Sequence, residues 1–154
     1  MNLSPHFTLA ELTRSNTAQR LGLDNTPPDD VIEALKLTAQ MLERIRETLD
    51  KPVIVTSAFR SLAVNRAVGG ATSSDHLSGE AADIVSPAFG TPYLVASTLA
   101  PLVSTLGIGQ LILEGVRGKQ WVHVSRRTPA RAVNRIITIT DSGVRPGIQE
   151  LRWA

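Results

Sequence analysis

The chain has 154 residues, 42% of them hydrophobic and 19% charged, with 16 basic and 14 acidic side chains for a net charge of +2. That is enough chain for one domain spanning residues 1–154 and too apolar for a disordered one. No apolar run reaches the roughly 18–20 residues that would cross a bilayer, and there is no cysteine, which excludes disulfides, thiol nucleophiles and thiolate metal sites together.

The N-terminal run Met1 to Asn16 has no basic stretch followed by a long apolar one. It is therefore not expected to be a signal peptide, and cytoplasmic synthesis is expected, with a helper for any export. Thr8 and Glu11 have the spacing of a capping box and open a short helix. A second short helix covers Thr17–Leu21 and stops at Gly22. After the loop Asn25 to Pro28, Asp29 or Asp30 is expected to cap a long helix that runs to about Leu49. Its apolar positions Val31, Leu35, Leu42, Ile45 and Leu49 follow three-four spacing, with Thr38 in the remaining slot. A short buried strand is predicted at Pro52 to Thr56, then a helix at Ser61 to Ala67 ended by Gly69-Gly70. Ala81–Val85 reads as a strand. Pro92 starts another helix that Pro101 should interrupt. Gln110–Glu114 and Gln120–Arg126 form two strands, Arg135–Thr140 a final one, and the tail after Gly143 is expected to be irregular. Helices first, then strands mixed with helices, predict an α+β domain with a small, mainly antiparallel sheet flanked by helices.

Arg126, Arg127, Arg131 and Arg135 make a loose basic cluster. With only 4% aromatic residues there is little to stack on bases, so a solvated basic face is expected and no nucleic-acid partner.

The stretch Ser73 to Asp83 holds His76 and, seven residues on, Asp83, with small residues between them that allow a tight turn. A His–Asp pair at that spacing is common and says little alone. A third donor comes from Trp121-Val-His123-Val-Ser125, whose alternation puts Trp121, His123 and Ser125 on one strand face and Val122 and Val124 on the other. On the preceding strand Gln110, Ile112 and Glu114 share a face. If Glu114 pairs with Trp121, then Glu114 and His123 lie on the same side; a one-residue slip separates them. Without cysteine, any metal falls to histidine and carboxylate, a set that suits zinc first and other divalent ions second. Two histidines and an aspartate would leave a fourth tetrahedral position open, as catalytic zinc sites do. A nearby carboxylate would move the proton, and Arg60, just after a strand end, would bind a substrate carboxylate.

Several strings together resemble the zinc D-Ala-D-Ala carboxypeptidase-like peptidoglycan peptidases. They are Ser57-Ala-Phe-Arg60-Ser61, Asn65, Val68-Gly69-Gly70, Ser74-x-His76-x-x-Gly79-x-Ala81-x-Asp83 and Trp121-Val-His123. The likeness covers most of the chain, includes the Phe7–Leu12 opening, and is greatest to the phage and prophage endolysin branch. It implies a Hedgehog/DD-peptidase-like fold, with Zn2+ on the residues matching His76, Asp83 and His123. It further implies peptidoglycan stem peptides as partners, Arg60 on a substrate carboxylate and Ser74 as the hydroxyl near the metal. Action on the cell wall after release, with a holin or other export helper, or action within a virion, follows from the same resemblance, and a membrane partner does not.

One position departs. Several branches carry the catalytic acid three residues before the second zinc histidine, where this chain has Gln120, whose amide cannot be a base. Glu114 is the expected catalytic residue, with Asp75 and Glu80 as substitutes. Ser74 either binds substrate or caps its loop, Trp121 is site wall or core, and His6 has a surface or packing role. The departure also leaves a second class open: a non-catalytic zinc-containing wall-binding or virion structural module.

Overall fold

The computed structural model of the protein describes residues 1–132 and 134–151. The expected single domain, residues 1–154, therefore includes four positions outside the described residues. The chain opens with a small hairpin, β1 (Asn2–Ser4) and β2 (Phe7–Thr8), that the sequence does not announce. Thr8 then caps α1 (Leu9–Thr13) through the expected box: its hydroxyl accepts the Glu11 N–H, and the Glu11 carboxylate accepts the Thr8 N–H. Ser15 caps α2 (Asn16–Leu21), which ends at Gly22 in the left-handed conformation.

The long helix α3 (Asp29–Leu49) begins where expected, but not through an aspartate cap. Pro28 holds the cap position with no side-chain bond, and Asp29 and Asp30 sit in the first turn, where their charge complements the exposed N–H groups. Its predicted stripe is buried throughout, Thr38 included. Leu35, Leu42 and Ile45 are fully enclosed, and burying each stabilises the fold by about 1.5–3 kcal/mol. The chain continues through β3 (Ile54–Ser57), α4 (Leu62–Ala67, capped by Ser61) and β4 (Ala81–Val85) to α5 (Pro92–Leu99, capped by Thr91). Pro101 interrupts the helix as expected, through a 3-10 turn at Ala100–Leu102, and α6 (Val103–Leu106) follows. The remaining strands are β5 (Ile108–Val116), β6 (Lys119–Arg126), β7 (Arg135–Thr140) and β8 (Gly143–Pro146).

β3 to β8 form one sheet in the order β3-β4-β6-β5-β7-β8. Every pairing is antiparallel except β5 with β7. The α+β class and the antiparallel character match expectation. The sheet is larger than the small one foreseen, with six strands among the described residues. β8 corrects the irregular tail: its residues pair with β7 although all four are exposed, so no apolar pattern marks them.

The sheet has two unlike faces. Ala82, Ile84, Leu111, Leu113, Val122 and Val124 point into a core shared with α3, α5 and α6. Alternation then sends Asp83, Gln110, Glu114, His123 and Ser125 to the other face. That face carries the polar chemistry.

Candidate metal centre

Asp83 and His123 are cross-strand neighbours in the β4–β6 register. Direct pairing sets their side chains side by side. His123 Nδ1 lies 3.1 Å from Asp83 Oδ1. His76 comes from the loop before β4 and brings Nε2 to 3.3 Å from the same oxygen. The two imidazole rings meet edge to face, 5.1 Å between centres at 69°. One donor atom from each of the three residues lies within 4.8 Å of the others, and all three side chains are buried.

These distances fit a metal ion. Zinc bonds of 2.0–2.1 Å in a tetrahedron put neighbouring donor atoms about 3.4 Å apart. His76 supplies a second observation. Its Nδ1 donates to the Ala58 carbonyl at 2.6 Å, and that oxygen can only accept, so the proton is on Nδ1. Nε2 is left bare, buried and without a hydrogen-bond partner, facing Asp83. A buried nitrogen with a free lone pair beside a carboxylate oxygen is otherwise unfavourable. Two imidazoles and one carboxylate form a donor set that suits zinc.

Burial alone would raise the Asp83 carboxyl, but the neighbouring His76 and His123 outweigh it, and the group lies well below the usual carboxylate range. Asp83 is thus in the ionised form that a ligand must have.

The loop carrying His76 is tied on every side. The Arg60 N–H donates to the His76 carbonyl, and the buried Thr38 hydroxyl donates to the Gly79 carbonyl at 2.7 Å. Asp75 takes both Nε and an Nη of Arg131, and Glu80 binds Arg126. Arg127 is bound to the Ile108 and Ala132 carbonyls and to the Asn134 amide oxygen. The expected solvated basic face is therefore corrected: three of its four arginines brace the site loop and the β6–β7 connection. The same pairs occupy Asp75 and Glu80, the two substitutes considered for Glu114.

An open cleft of about 720 Å³ lies over the cluster. Glu114, Arg60, Ser74 and Trp121 line it together with His76, Asp83 and His123, so all the sequence-predicted site residues meet in one place. Glu114 pairs with Trp121 in the β5–β6 register, as the same-face reading requires, which puts it on the His123 side of the sheet. Its Oε1 stands 4.0 Å from His123 Nδ1. Burial, and then the charge of Asp83, raises the Glu114 carboxyl above its ordinary value against the pull of His123 and Arg60. Gln120 pairs with Gly115 one step along and does not line the cleft.

Arg60 donates Nη1 to the Asn65 amide oxygen at 3.2 Å, and its Nη2 lies 3.7 Å from Asp83 Oδ2. Its Nε is buried without a partner, as is Nε1 of Trp121, which makes Trp121 site wall rather than core. Burial draws Arg60 below the ordinary guanidinium value, with Asp83 and Glu114 opposing. Ser74 does cap its loop, accepting the His76 N–H at 3.2 Å, and it also faces the cleft. His6 packs outside the site, its Nδ1 2.7 Å from Glu43. The sequence reading missed Gln110 and Ser125, two buried polar residues beside His123, although strand alternation already puts them on its face.

The comparisons with known proteins agree with this geometry. Over 80 residues the chain is 39% identical to the zinc D-Ala-D-Ala carboxypeptidase of Streptomyces albus G. That match covers 51% of this chain and 31% of the relative, so the chain spans under a third of that protein. A family model described as peptidase M15 matches residues 5–125, from the N-terminal hairpin to the end of the strand that carries His123. The chain belongs to the peptidase M15 family.

Proposed function

We propose that the protein is a zinc peptidase that hydrolyses an amide bond in D-amino-acid-containing peptidoglycan peptides. The observation that carries this reading is the bare, buried Nε2 of His76, aimed with Asp83 and His123 into the cleft that also holds Glu114 and Arg60. In this reading His76, Asp83 and His123 hold zinc, which when bound supplies Lewis-acid polarisation and an acidified water. The chain's own residues do the rest. Glu114 Oε1 takes the proton of the attacking water and delivers it to the leaving nitrogen; its raised pKa suits a group that must both accept and donate. Arg60, with Nε unpartnered, binds a substrate carboxylate, and Asn65 holds its other end. Ser74 and the Trp121 N–H are further polar groups of the wall.

Support for the substrate class comes from the relative's name; the cell wall as place of action, a phage or prophage source and a holin-type helper rest on the resemblance of the sequence strings to the endolysin branch. The test is release of fragments from purified sacculi, read by mass spectrometry. Zinc-loaded protein is expected to release D-Ala or cut cross-bridges, and the two products separate carboxypeptidase from endopeptidase action. Chelation should abolish release and zinc restore it. Glu114→Gln should retain zinc and lose about 10²–10⁴-fold in kcat. Tight sacculus binding by zinc-loaded protein with no cleavage on several wall types would instead favour the non-catalytic wall-binding module.

A further inference from the structure

Two residues next to the cluster have no part in the chemistry above. Ser125 is fully buried and Gln110 is 6% exposed, both on the site face of the sheet. They are partners in the β5–β6 register. Ser125 Oγ lies 2.9 Å from His123 Nε2 and 3.2 Å from Gln110 Oε1.

The direction of these bonds follows from what each atom can do. An amide oxygen has no proton to give, so the Ser125 hydroxyl donates to Gln110. A serine hydroxyl has one proton. With it committed to Gln110, only a lone pair faces His123, and that lone pair can only accept. His123 must then carry a proton on Nε2, and in the neutral ring that leaves Nδ1 bare. Nδ1 is the atom that faces Asp83 Oδ1. His76 reaches the same state by the opposite nitrogen, its Nδ1 proton held by the Ala58 carbonyl and its Nε2 bare.

We propose that Gln110 and Ser125 are positioning residues for the metal: a two-step relay that keeps the proton of His123 on Nε2 and assigns Nδ1 to the ion. The proposal rests on the zinc reading above. In the absence of metal, Asp83 Oδ1 also attracts a proton to Nδ1, so proton and metal compete for one nitrogen. The relay tilts that competition by accepting the ring's other N–H and by fixing the ring plane. A serine hydroxyl alone could turn and donate to Nε2, which would put the proton on the wrong nitrogen. Gln110 removes that option.

The test uses the whole chain with 15N-labelled histidine, loaded with 113Cd. One-bond coupling from cadmium is expected to Nδ1 of His123 and to Nε2 of His76. Zinc affinity is measured alongside by competition with a chelator. Ser125→Ala and Gln110→Leu should each weaken zinc by about 10- to 100-fold, the range for loss of a group that orients a ligating histidine. Coupling to Nε2 of His123 in the unmodified protein would overturn the proposal, as would zinc affinities within about twofold of it in both folded variants. The coupling measurement needs no variant, so it decides the matter even if a substitution prevents folding. Protein that takes up neither cadmium nor zinc overturns the metal reading itself, and the relay with it.

Discussion

At the scale of single residues, Glu114 and Gln120 are separated by one step of strand alternation, and that step decides which can act. Glu114 shares a face with His123, while Gln120 does not line the cleft. The three clustered donors were legible because they are chemically distinctive and two of them lie in one short string. The relay was less so, because serine and glutamine are ordinary residues until a register joins them. Gly70 has a comparable hidden role. A Cβ there would overlap the Asn65 amide oxygen and come within 2.9 Å of Arg60 Nη1. Gly70→Ala is therefore expected to push Asn65 off Arg60 and to lower kcat/KM about tenfold, the value of one hydrogen bond to a charged group. The loss should appear with peptides bearing a free C-terminal carboxylate and not with their amides. Equal losses on both would remove Arg60 from carboxylate binding.

At the scale of elements, the helices were readable because caps and apolar spacing are local. Thr8, Ser15, Ser61 and Thr91 each cap the helix that follows, and Gly22 ends α2. Strand β8 was not readable, since an exposed edge strand has no buried face to impose alternation. Thr38 shows how an element reaches the site. Within the apolar stripe of α3 it looks like a filler, yet its hydroxyl is the partner of the buried Gly79 carbonyl. Gly79 has φ +74°, and a Cβ there would press on Val31 at 2.9 Å, so helix and loop meet with no spare room. Thr38→Val keeps the shape and orphans that carbonyl. It should destabilise the protein by about 1–3 kcal/mol in urea unfolding. A change within about 0.5 kcal/mol, the range of an ordinary surface substitution, would mean that the bond is not needed.

At the scale of the whole molecule, long-range polar links join the parts. Glu43 on α3 accepts from the Ser4 hydroxyl and the His6 N–H and lies 2.7 Å from the His6 ring, so it clamps the N-terminal hairpin to the helix. Burial opposes ionisation of Glu43, but the Ser4 and His6 hydrogen bonds prevail and lower its pKa below 4.5. A carboxyl with a depressed folded-state pKa stabilises the fold fully above its unfolded value and loses that contribution as pH falls through the folded one. Glu43→Gln should therefore be less stable than the parent near neutral pH, with the gap closing below about pH 4.5. Urea midpoints of both proteins at pH 7 and pH 3 would measure it, and a gap that stays constant with pH would rule out the clamp's ionic part. No helix among the described residues is long and apolar enough to cross a membrane.

The sequence by itself determined the class of most elements, the cap of α1, the main helix breaks and the three donor residues, because periodicity, turn chemistry and ligand type are properties of short stretches. Only the tertiary structure decided which nitrogen of each histidine faces the centre, which acid is left free, and what the arginines do. Asp75 and Glu80 are paired with Arg131 and Arg126, residues more than forty positions away, while Glu114 is held beside His123 by a cross-strand register. A register is an agreement between distant segments, and a slip of one residue would move Glu114 to the opposite face without changing a letter of the sequence.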